Sequence, residues 1–369
     1  MTSVLIVGGG VIGMFCAARL AQRGVKVTLL EAEEDDFSGR GPAASLAAAG
    51  MLGAVSETAA AVEGVHPRLR ELALESFLLW REQAPRALWG DGVRFDGAAM
   101  IARDGAHAEA LGAHAKALGR KAVPIAPHKF SDFAGIDARP EHALFIEDEG
   151  VAEPERVLSG LAMEARRHGA MLEFGKDVRS ISRSTARTVQ GEVFGADVVL
   201  VTPGVWAHDQ LLENVPTLKH LRPARGAIAP VRVEGKLKAN VRGPGFYLAR
   251  RGESDVVLGA TMEFDSFRRA ANEQEVAGLF AAAEKYFPGM VTPLPDHRPW
   301  AGVRPMSPDW APLIGPNEKG VLVACGHSRN GWLLAPITAE IICAYVLGED
   351  VPQLWAAFHP DSAERGAGA

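Results

Sequence analysis

The sequence predicts an α/β fold, α+β overall, with a helix-flanked parallel sheet and a separate antiparallel sheet. Residues 4–7 form an apolar run that is followed by a glycine-rich turn, a helical pattern over 12–22 and a second apolar run at 26–30. That succession is typical of a β-α-β unit. A second such pattern starts near residue 143, and short β runs separated by turns fill residues 220–300.

The remaining elements follow from hydrophobic periodicity and from breaking residues. Apolar runs of strand length predict strands, and apolar residues at helical spacing predict helices. Pro154, with an acidic residue on either side, is typical of a helix start. The other predicted strands are 98–102, 171–174, 196–201, 227–233, 245–249, 255–259 and 321–324, and the other predicted helices are 67–88, 106–118, 153–168, 273–286 and 333–347.

The length of the chain indicates about two domains. Domains average roughly 100–200 residues, and this chain has 369. The two kinds of pattern interleave along the sequence, so we expect both domains to be discontinuous. We predict one domain from residues 1–90, 146–220 and 301–369, and a second from residues 91–145 and 221–300.

The composition excludes several classes of protein and partner. Hydrophobic residues make up 47% of the chain, so a sizeable core can form and wholesale disorder is excluded. The 39 basic and 45 acidic residues give a net charge of −6 without a basic cluster, which argues against nucleic acid as a partner. Cys16, Cys325 and Cys343 are too few and too scattered for a disulfide framework or a zinc site, so no metal is expected.

Two apolar segments do not predict membrane spans. Residues 4–18 have no basic residue before them, contain three consecutive glycines and end at Arg19, short of the ~20 residues a span needs. Residues 332–347 contain Pro336 and Glu340. We therefore expect a cytoplasmic protein with reduced thiols.

The first turn carries a dinucleotide-binding fingerprint. Gly8, Gly10 and Gly13 are spaced G-x-G-x-x-G between the first strand and the first helix, where free N–H groups and the helix dipole can bind a pyrophosphate. Glu31 ends the next strand and can accept a hydrogen bond from a ribose, while its charge would repel the 2′-phosphate of NADP. The fingerprint by itself leaves NAD and FAD open.

Two further segments favour FAD. Residues 45–51 (SLAAAGM) provide small side chains and N–H groups just beyond the ribose site. Residues 326–331 form a polar turn before the last long helix, and that helix start can stabilise negative charge on a flavin. The turn has GxSxxG spacing rather than the GxSxG of a serine-hydrolase elbow.

Several sequence blocks together resemble the D-amino acid oxidase superfamily of flavoenzymes, and within it the glycine oxidase and sarcosine oxidase-like enzymes. These blocks are VLIVGGGVIG at 4–13, SLAAAGMLG at 45–53, DEGVAEPERVL at 148–158, ADVVLVTPGVW at 196–206, WAGVRPMSPDWAPLIG at 300–315 and GHSRNGWLLAP at 326–336. The resemblance implies a Rossmann-like FAD-binding domain and an antiparallel-sheet substrate domain.

The resemblance also implies a cofactor and a reaction. It implies FAD, oxidation of an amine or amino acid to an imine, and oxygen as the acceptor that reoxidises the flavin to give hydrogen peroxide. None of the cysteines lies in 300–310, where the sarcosine oxidase branch attaches its flavin, so we expect non-covalent FAD. The expected cofactor contacts are Gly8, Gly10, Val11, Ile12, Gly13, Glu31, Ser45, Ala49, Gly50, Met51, Val178, Gly204, Trp206, Gly302, Arg329, Asn330, Gly331, Trp332 and Leu333.

The resemblance places four residues at the reacting substrate. Arg304 and Tyr247 are expected to hold a carboxylate, because a guanidinium presents a planar fork that matches it. Met262 and Met51 are expected to form an apolar wall near the flavin. On the residues alone, Arg304 could instead lie on the surface, Tyr247 could be a half-buried strand residue, and the methionines could simply be packing. Arg329 could lie at the flavin edge or stabilise its turn.

Alternative functions stay open at this point. They are a flavin-dependent dehydrogenase with a quinone or carrier-protein acceptor, an NAD-dependent dehydrogenase, and a non-catalytic nucleotide-binding module. The substrate is expected to be small: glycine, sarcosine, a D-amino acid or a proline-like amine. A homo-oligomer is a further possibility.

Overall fold

A β-α-β unit opens the chain, as predicted. Strand β1 (Ser3–Val7) lies parallel to β2 (Lys26–Leu30), and helix α1 (Val11–Gln22) crosses between them. The computed structural model describes residues 2–34, 37, 43–59, 64–251 and 255–365.

Further helices and strands follow this unit in chain order. The helices are α2 (Ala44–Ala47), α3 (Leu69–Gln83), α4 (Gly105–Ala117), α5 (Phe130–Ala134), α6 (Pro154–Arg167), α7 (Asp209–Leu212), α8 (Glu273–Glu284), α9 (Gly331–Leu347) and α10 (Gln353–Ala356). The strands are β3 (Met51–Leu52), β4 (Val93–Arg94), β5 (Ala98–Ile101), β6 (Ala122–Pro124), β7 (Ala143–Ile146), β8 (Gly150–Ala152), β9 (Met171–Glu173), β10 (Val178–Ile181), β11 (Thr185–Thr188), β12 (Val193–Gly195), β13 (Val198–Val201), β14 (Arg222–Val233), β15 (Asn240–Gly243), β16 (Phe246–Arg250), β17 (Val256–Gly259), β18 (Glu263–Phe264), β19 (Val291–Pro293), β20 (Trp300–Met306), β21 (Leu313–Pro316) and β22 (Leu322–Cys325).

The first sheet is the parallel sheet expected for dinucleotide binding. Its strand order is β21-β22-β13-β1-β2-β9, and β21 is its antiparallel edge strand. Because ligands bind at the carboxyl ends of parallel strands, the glycine-rich turn after β1 lies at the binding edge of this sheet.

The second sheet is largely antiparallel and has the order β18-β14-β17-β16-β15-β5-β7-β6. The long strand β14 also pairs with β19 and with β20. Strand β20 comes from the block that carries Arg304, and it crosses the predicted boundary at residue 300. The division into two domains otherwise stays a prediction. The α/β fold class with a separate antiparallel sheet is confirmed.

Helix α9 is fixed at its start by contacts with its neighbouring helices. It is apolar on nearly every side and packs against α1 and α3. Trp80 Nε1 donates to the Trp332 carbonyl over 3.1 Å, and Ser76 Oγ donates to the Leu333 carbonyl over 2.6 Å. The first turn of α9 is thereby fixed beside the cavity described below.

One predicted helix is shorter than expected. The apolar pattern predicts a helix over 67–88, but α3 spans Leu69–Gln83 and is followed by a 3-10 turn over Ala84–Arg86. Pro85 explains the difference, since proline has no N–H to donate to the carbonyl four residues earlier and therefore cannot continue the α-helical hydrogen bonds. Among the described residues, no helix is long and apolar enough to cross a lipid bilayer.

The first testable prediction concerns Gly13, which packs α1 against the turn after β1. A Cβ at Gly13 would lie 2.0 Å from the Gly8 carbonyl oxygen, so Gly13→Ala must displace the helix. We expect its free energy of unfolding to fall by ~1–3 kcal/mol, as for other overpacked positions. Thermal melting of the two proteins measures the change.

The matched control is Gly278→Ala, in the exposed middle of α8. A Cβ at Gly278 meets nothing within 4 Å, so alanine there should stabilise the helix by ~0.5–1 kcal/mol. Equal melting temperatures for Gly13→Ala and the unsubstituted protein would show that the helix does not depend on this close approach.

Candidate active site

A cavity of about 890 Å³ is lined by residues of both sheets. This volume is within the usual ~300–1,000 Å³ of small-molecule and cofactor sites. One end is formed by the turn after β1 and the end of β2. The other end is formed by β14, β16 and β20 together with the turn before α9.

Most of the residues predicted from the sequence line this cavity. They are Gly8, Gly10, Val11, Ile12, Glu31, Ser45, Ala49, Gly50, Met51, Val178, Gly204, Trp206, Tyr247, Met262, Gly302, Arg304, Arg329, Gly331 and Trp332. Gly13, Asn330 and Leu333 do not line it. Gly13 faces the Gly8 carbonyl, Asn330 is buried at the start of α9, and Leu333 is fully buried in the core.

At the nucleotide end, backbone N–H groups orient the Glu31 carboxylate. Oε2 accepts from the Gly9 N–H, and Oε1 accepts from the Glu33 N–H over 3.0 Å. Ser45 Oγ accepts from the Val11 N–H over 2.9 Å, which brings the segment after residue 43 against the start of α1. This end therefore combines a fixed carboxylate with a helix N-terminus.

The turn before α9 is tied to β20. The Ser328 N–H donates to the Pro305 carbonyl over 3.0 Å, and His327 forms an isolated bridge with Met306. His327 itself is buried, which lowers its pKa to about 3, and its Nε2 lies 2.9 Å from Thr338 Oγ1. We interpret it as structural. The tie places Arg329 at the same end of the cavity as the β20 side chains.

At that end, five neighbouring strands in the order β20-β14-β17-β16-β15 contribute Arg304, Gly226, Gly259, Tyr247 and Arg242, in that order. A Cβ at Gly226 would lie 2.3 Å from Arg304 Nη1, and a Cβ at Gly259 would lie 2.4 Å from Tyr247 Oη. The two glycines therefore leave the space that the guanidinium and the phenol occupy.

Arg304 carries a desolvated guanidinium that has no carboxylate within ion-pair distance among the described residues. Its Nη1 has a long hydrogen bond, 3.4 Å, to the Thr261 carbonyl. Burial lowers the pKa of Arg304, and so does nearby Arg329, while Tyr247 acts in the opposite direction. Burial also raises the pKa of the Tyr247 phenol, which stays a neutral donor at neutral pH. Such a pair suits a carboxylate.

Sequence reasoning missed two charged residues at this end. Arg242 is ion-paired with Glu57, and Arg329 Nη2 donates to the Glu57 carbonyl over 2.8 Å. The N–H groups of Val55 and Ser56 each donate to buried Glu149 over 2.7 Å, which holds the turn that carries Glu57. The sequence offered one signal for Arg242, namely a charged residue within the short strand β15. It offered no signal for Glu57, whose partner is known only from the folded structure.

Comparison with known proteins identifies the family. A family model described as FAD dependent oxidoreductase matches residues 3–345. The chain belongs to this family. It is 28% identical to a glycine oxidase from Bacillus licheniformis over 369 aligned residues, which cover 95% of this chain and 94% of that protein.

Solved structures agree with this family. The crystal structure of glycine oxidase from Geobacillus kaustophilus has a TM-score of 0.81 at 26% identity, with 97% of this chain and 98% of that chain covered. The crystal structure of L-proline dehydrogenase from P. horikoshii shares the fold, with a TM-score of 0.81 at 18% identity over 99% of this chain and 98% of that one. The resemblance inferred from the sequence blocks is thus confirmed.

The chain is therefore an FAD-dependent oxidoreductase, and FAD is its cofactor. This family sets aside the alternatives of an NAD-dependent dehydrogenase and a non-catalytic module. The residues present fit FAD, because the cavity joins a helix N-terminus and the Glu31 carboxylate to a second helix start at Gly331. Gly10 leaves the backbone of the first turn open: a Cβ there would meet only Ser45 Oγ, at 3.2 Å.

The second testable prediction concerns FAD retention. Gly10→Val adds a side chain at the turn that we expect to hold the pyrophosphate, where a Cβ would contact only the Ser45 side chain, at 3.2 Å. Glu31→Gln keeps the shape of the side chain but removes the negative charge that strengthens hydrogen bonds donated by the ribose hydroxyl groups. A hydrogen bond to a charged group contributes ~1.5–3 kcal/mol. We expect little flavin in purified Gly10→Val and at least ~tenfold weaker FAD binding for Glu31→Gln, measured by absorbance after dialysis and by titration.

The control is Gly278→Val on the exposed face of α8, which should retain its flavin in full. Gly10→Val with the same flavin content as that control would contradict the assignment of the first turn to the pyrophosphate.

Proposed function

We propose that this oxidoreductase oxidises a small amine that carries a carboxylate, such as glycine, sarcosine, a D-amino acid or a proline-like amino acid. The product is the imine, and oxygen reoxidises the flavin to give hydrogen peroxide. The observation that carries the proposal is the half-buried Arg304 guanidinium, which has no carboxylate partner among the described residues, beside the neutral Tyr247 phenol in the same cavity as the nucleotide fingerprint. The similarity to proteins named glycine oxidase supports it.

Arg304 and Tyr247 are assigned to the substrate carboxylate. The guanidinium offers two parallel N–H donors, and the phenol offers an O–H donor. Because both half-buried groups face a cavity that is largely shielded from water, their hydrogen bonds to an anion are stronger than they would be in bulk water. Holding the carboxylate at this fixed place orients the rest of a small substrate, and orientation is a large part of the catalysis of such a reaction.

The charge of the cavity also favours the reactive form of the substrate. Arg304, Arg242 and Arg329 all line this end of the cavity, and nearby positive charge disfavours a protonated amine. A bound amine is therefore more readily neutral there, with its lone pair available to form the imine. No general base is needed among these residues for that step.

The redox step needs the cofactor. When bound, FAD accepts the hydride that leaves the substrate Cα as the nitrogen lone pair forms the C=N bond. Ile228, Met51 and Met262 give the cavity apolar surface beside the charged groups. Water then hydrolyses the released imine to an oxo acid and ammonia or an amine, and the electrons pass to oxygen. The residues expected from the sequence to contact FAD keep those roles as part of this proposal, and the flavin is non-covalent.

A dehydrogenase that passes its electrons to a quinone or carrier protein is distinguished by the acceptor. Oxygen consumption with stoichiometric peroxide supports the oxidase. Turnover with an artificial quinone but negligible peroxide in air would replace the oxidase by the dehydrogenase, with the same substrate site.

The third testable prediction concerns Arg304. Arg304→Ala removes a charge-assisted contact worth ~1.5–3 kcal/mol, so we expect at least ~tenfold higher KM for amino acids. Arg304→Lys should restore only part of the loss, because a point charge lacks the fork. Gly226→Ala should also raise KM, since its Cβ would lie 2.3 Å from Arg304 Nη1. Steady-state oxygen consumption measures all three variants.

The control is Arg250→Ala, a half-buried arginine of β16 that pairs with Asp96 over 2.9 Å and does not line the cavity. It should leave KM near the unsubstituted value, and all variants should keep their flavin spectrum. Activity on a simple amine without a carboxylate should not fall in parallel. If Arg304→Ala oxidises amino acids with unchanged KM, this arginine is not the carboxylate anchor.

A further inference from the structure

The charged groups at the substrate end of the cavity do not balance. Among the residues that the structure describes, three arginines and one carboxylate line this end: Arg242, Arg304, Arg329 and Glu57. Glu57 is shared, with its carboxylate paired to Arg242 and its Oε2 lying 3.8 Å from Arg329 Nε. Two positive charges therefore remain uncompensated by these residues.

The excess positive charge lies in a part of the cavity that is largely shielded from water. The side chains of Glu57, Arg242 and Arg329 are 8%, 17% and 27% exposed. Burial, with a contribution from Arg329, lowers the pKa of Arg242 to about 9, so this guanidinium is still protonated at neutral pH. Buried charge without a partner is costly, and a ligand that supplies the partner gains the corresponding stabilisation.

A substrate with one carboxylate neutralises only one of the two charges. The α-carboxylate is assigned to Arg304, and the reactive amine is neutral. Arg242 and Arg329, on either side of Glu57, then still carry one positive charge in excess. Arg242 Nε is buried and has no hydrogen-bond partner among the described residues, so its hydrogen-bonding capacity is not exhausted by Glu57.

The strand order places Arg304 and Arg242 on opposite sides of Tyr247. Arg242 is directly paired with Tyr247 across β15 and β16, whereas Arg304 is on β20, beyond Gly259 and Gly226. A small molecule that extends from Arg304 past the phenol therefore reaches the Arg242 and Arg329 side of the cavity.

We propose that this site prefers amino-acid substrates with a second acidic group, on the side chain or on the amine nitrogen, and that Arg242 and Arg329 bind that group. The inference rests on the proposed function and names the substrate class of the same site. Glu57 sets the strength of the preference, because it competes with the second acidic group for the same two guanidinium groups.

The proposal makes opposite predictions for the two members of the ion pair. Arg242→Met removes a cation from the second subsite, so it should weaken binding of a dicarboxylate at least ~tenfold and weaken binding of a monocarboxylate by a much smaller factor. Glu57→Gln removes the competing anion and should strengthen dicarboxylate binding relative to monocarboxylate binding. If the Arg242–Glu57 pair had only a structural role, both variants would bind the dicarboxylate and the monocarboxylate more weakly.

The experiment is a titration of the flavin-loaded protein with two unreactive probes, propionate and succinate, followed through the flavin absorbance. Steady-state kinetics with glycine, with aspartate and glutamate of either configuration, and with iminodiacetate run beside it. The matched control is Arg250→Met, a strand arginine outside the cavity whose side chain is also 17% exposed. If Arg242→Met fails to fold, Glu57→Gln and Arg242→Lys still give the ratio of the two affinities.

Tighter binding of succinate than of propionate, lost in Arg242→Met and increased in Glu57→Gln, supports the proposal. The proposal is overturned if succinate and propionate bind the unsubstituted protein with equal affinity, or if neither variant changes the ratio of the two affinities. If the protein still oxidises glycine in that case, the proposed function stands. If neither probe perturbs the flavin and no amino acid reduces it, the proposed function itself fails, and this inference fails with it.

Discussion

The end of the cavity that we assign to the substrate depends on two glycines in neighbouring strands, Gly226 and Gly259. Gly226 and Gly259 lie on β14 and β17, and any Cβ there would overlap Arg304 or Tyr247. The antiparallel sheet thus contributes a flat stretch of backbone on which a guanidinium and a phenol can lie. A half-buried cation without a fixed carboxylate partner loses part of its hydration, which costs free energy. The two glycines leave room for the Arg304 guanidinium at this position despite that cost.

The same strands connect the substrate end to the cofactor end. Strand β20 pairs with β14 along its length, and the Pro305 carbonyl accepts from Ser328 in the turn before α9. Helix α9 in turn packs on α1, which starts at the nucleotide fingerprint. A chain of strand pairing and helix packing therefore fixes the distance between the two ends. This fixed relation is what the proposed transfer of a hydride between substrate and cofactor requires.

The sequence predicted those parts of the fold and of the site that depend on residues close together along the chain. The strand, turn and helix around Gly8 and the carboxylate at Glu31 follow from a short motif, and Arg304 followed from a resemblance in its block. Arg242 and Glu57 were missed because 185 residues separate them in sequence, and their contact depends on which strands become neighbours. The role of Gly226 was missed for the same reason, since its partner Arg304 is on a strand that pairs only in the folded chain.

The most direct test of substrate selection by Arg304 is to mix the flavin-loaded protein with substrate in the absence of oxygen and follow the loss of flavin absorbance. We predict that amino acids with a carboxylate reduce the flavin rapidly and that the corresponding amines without a carboxylate do so far more slowly. Arg304→Ala should reduce the difference in the rate of flavin reduction between the amino acids and the amines without a carboxylate. Reduction at the same rate by the amino acid and by its decarboxylated amine, unchanged in Arg304→Ala, would contradict the central claim that a buried guanidinium selects and orients the substrate.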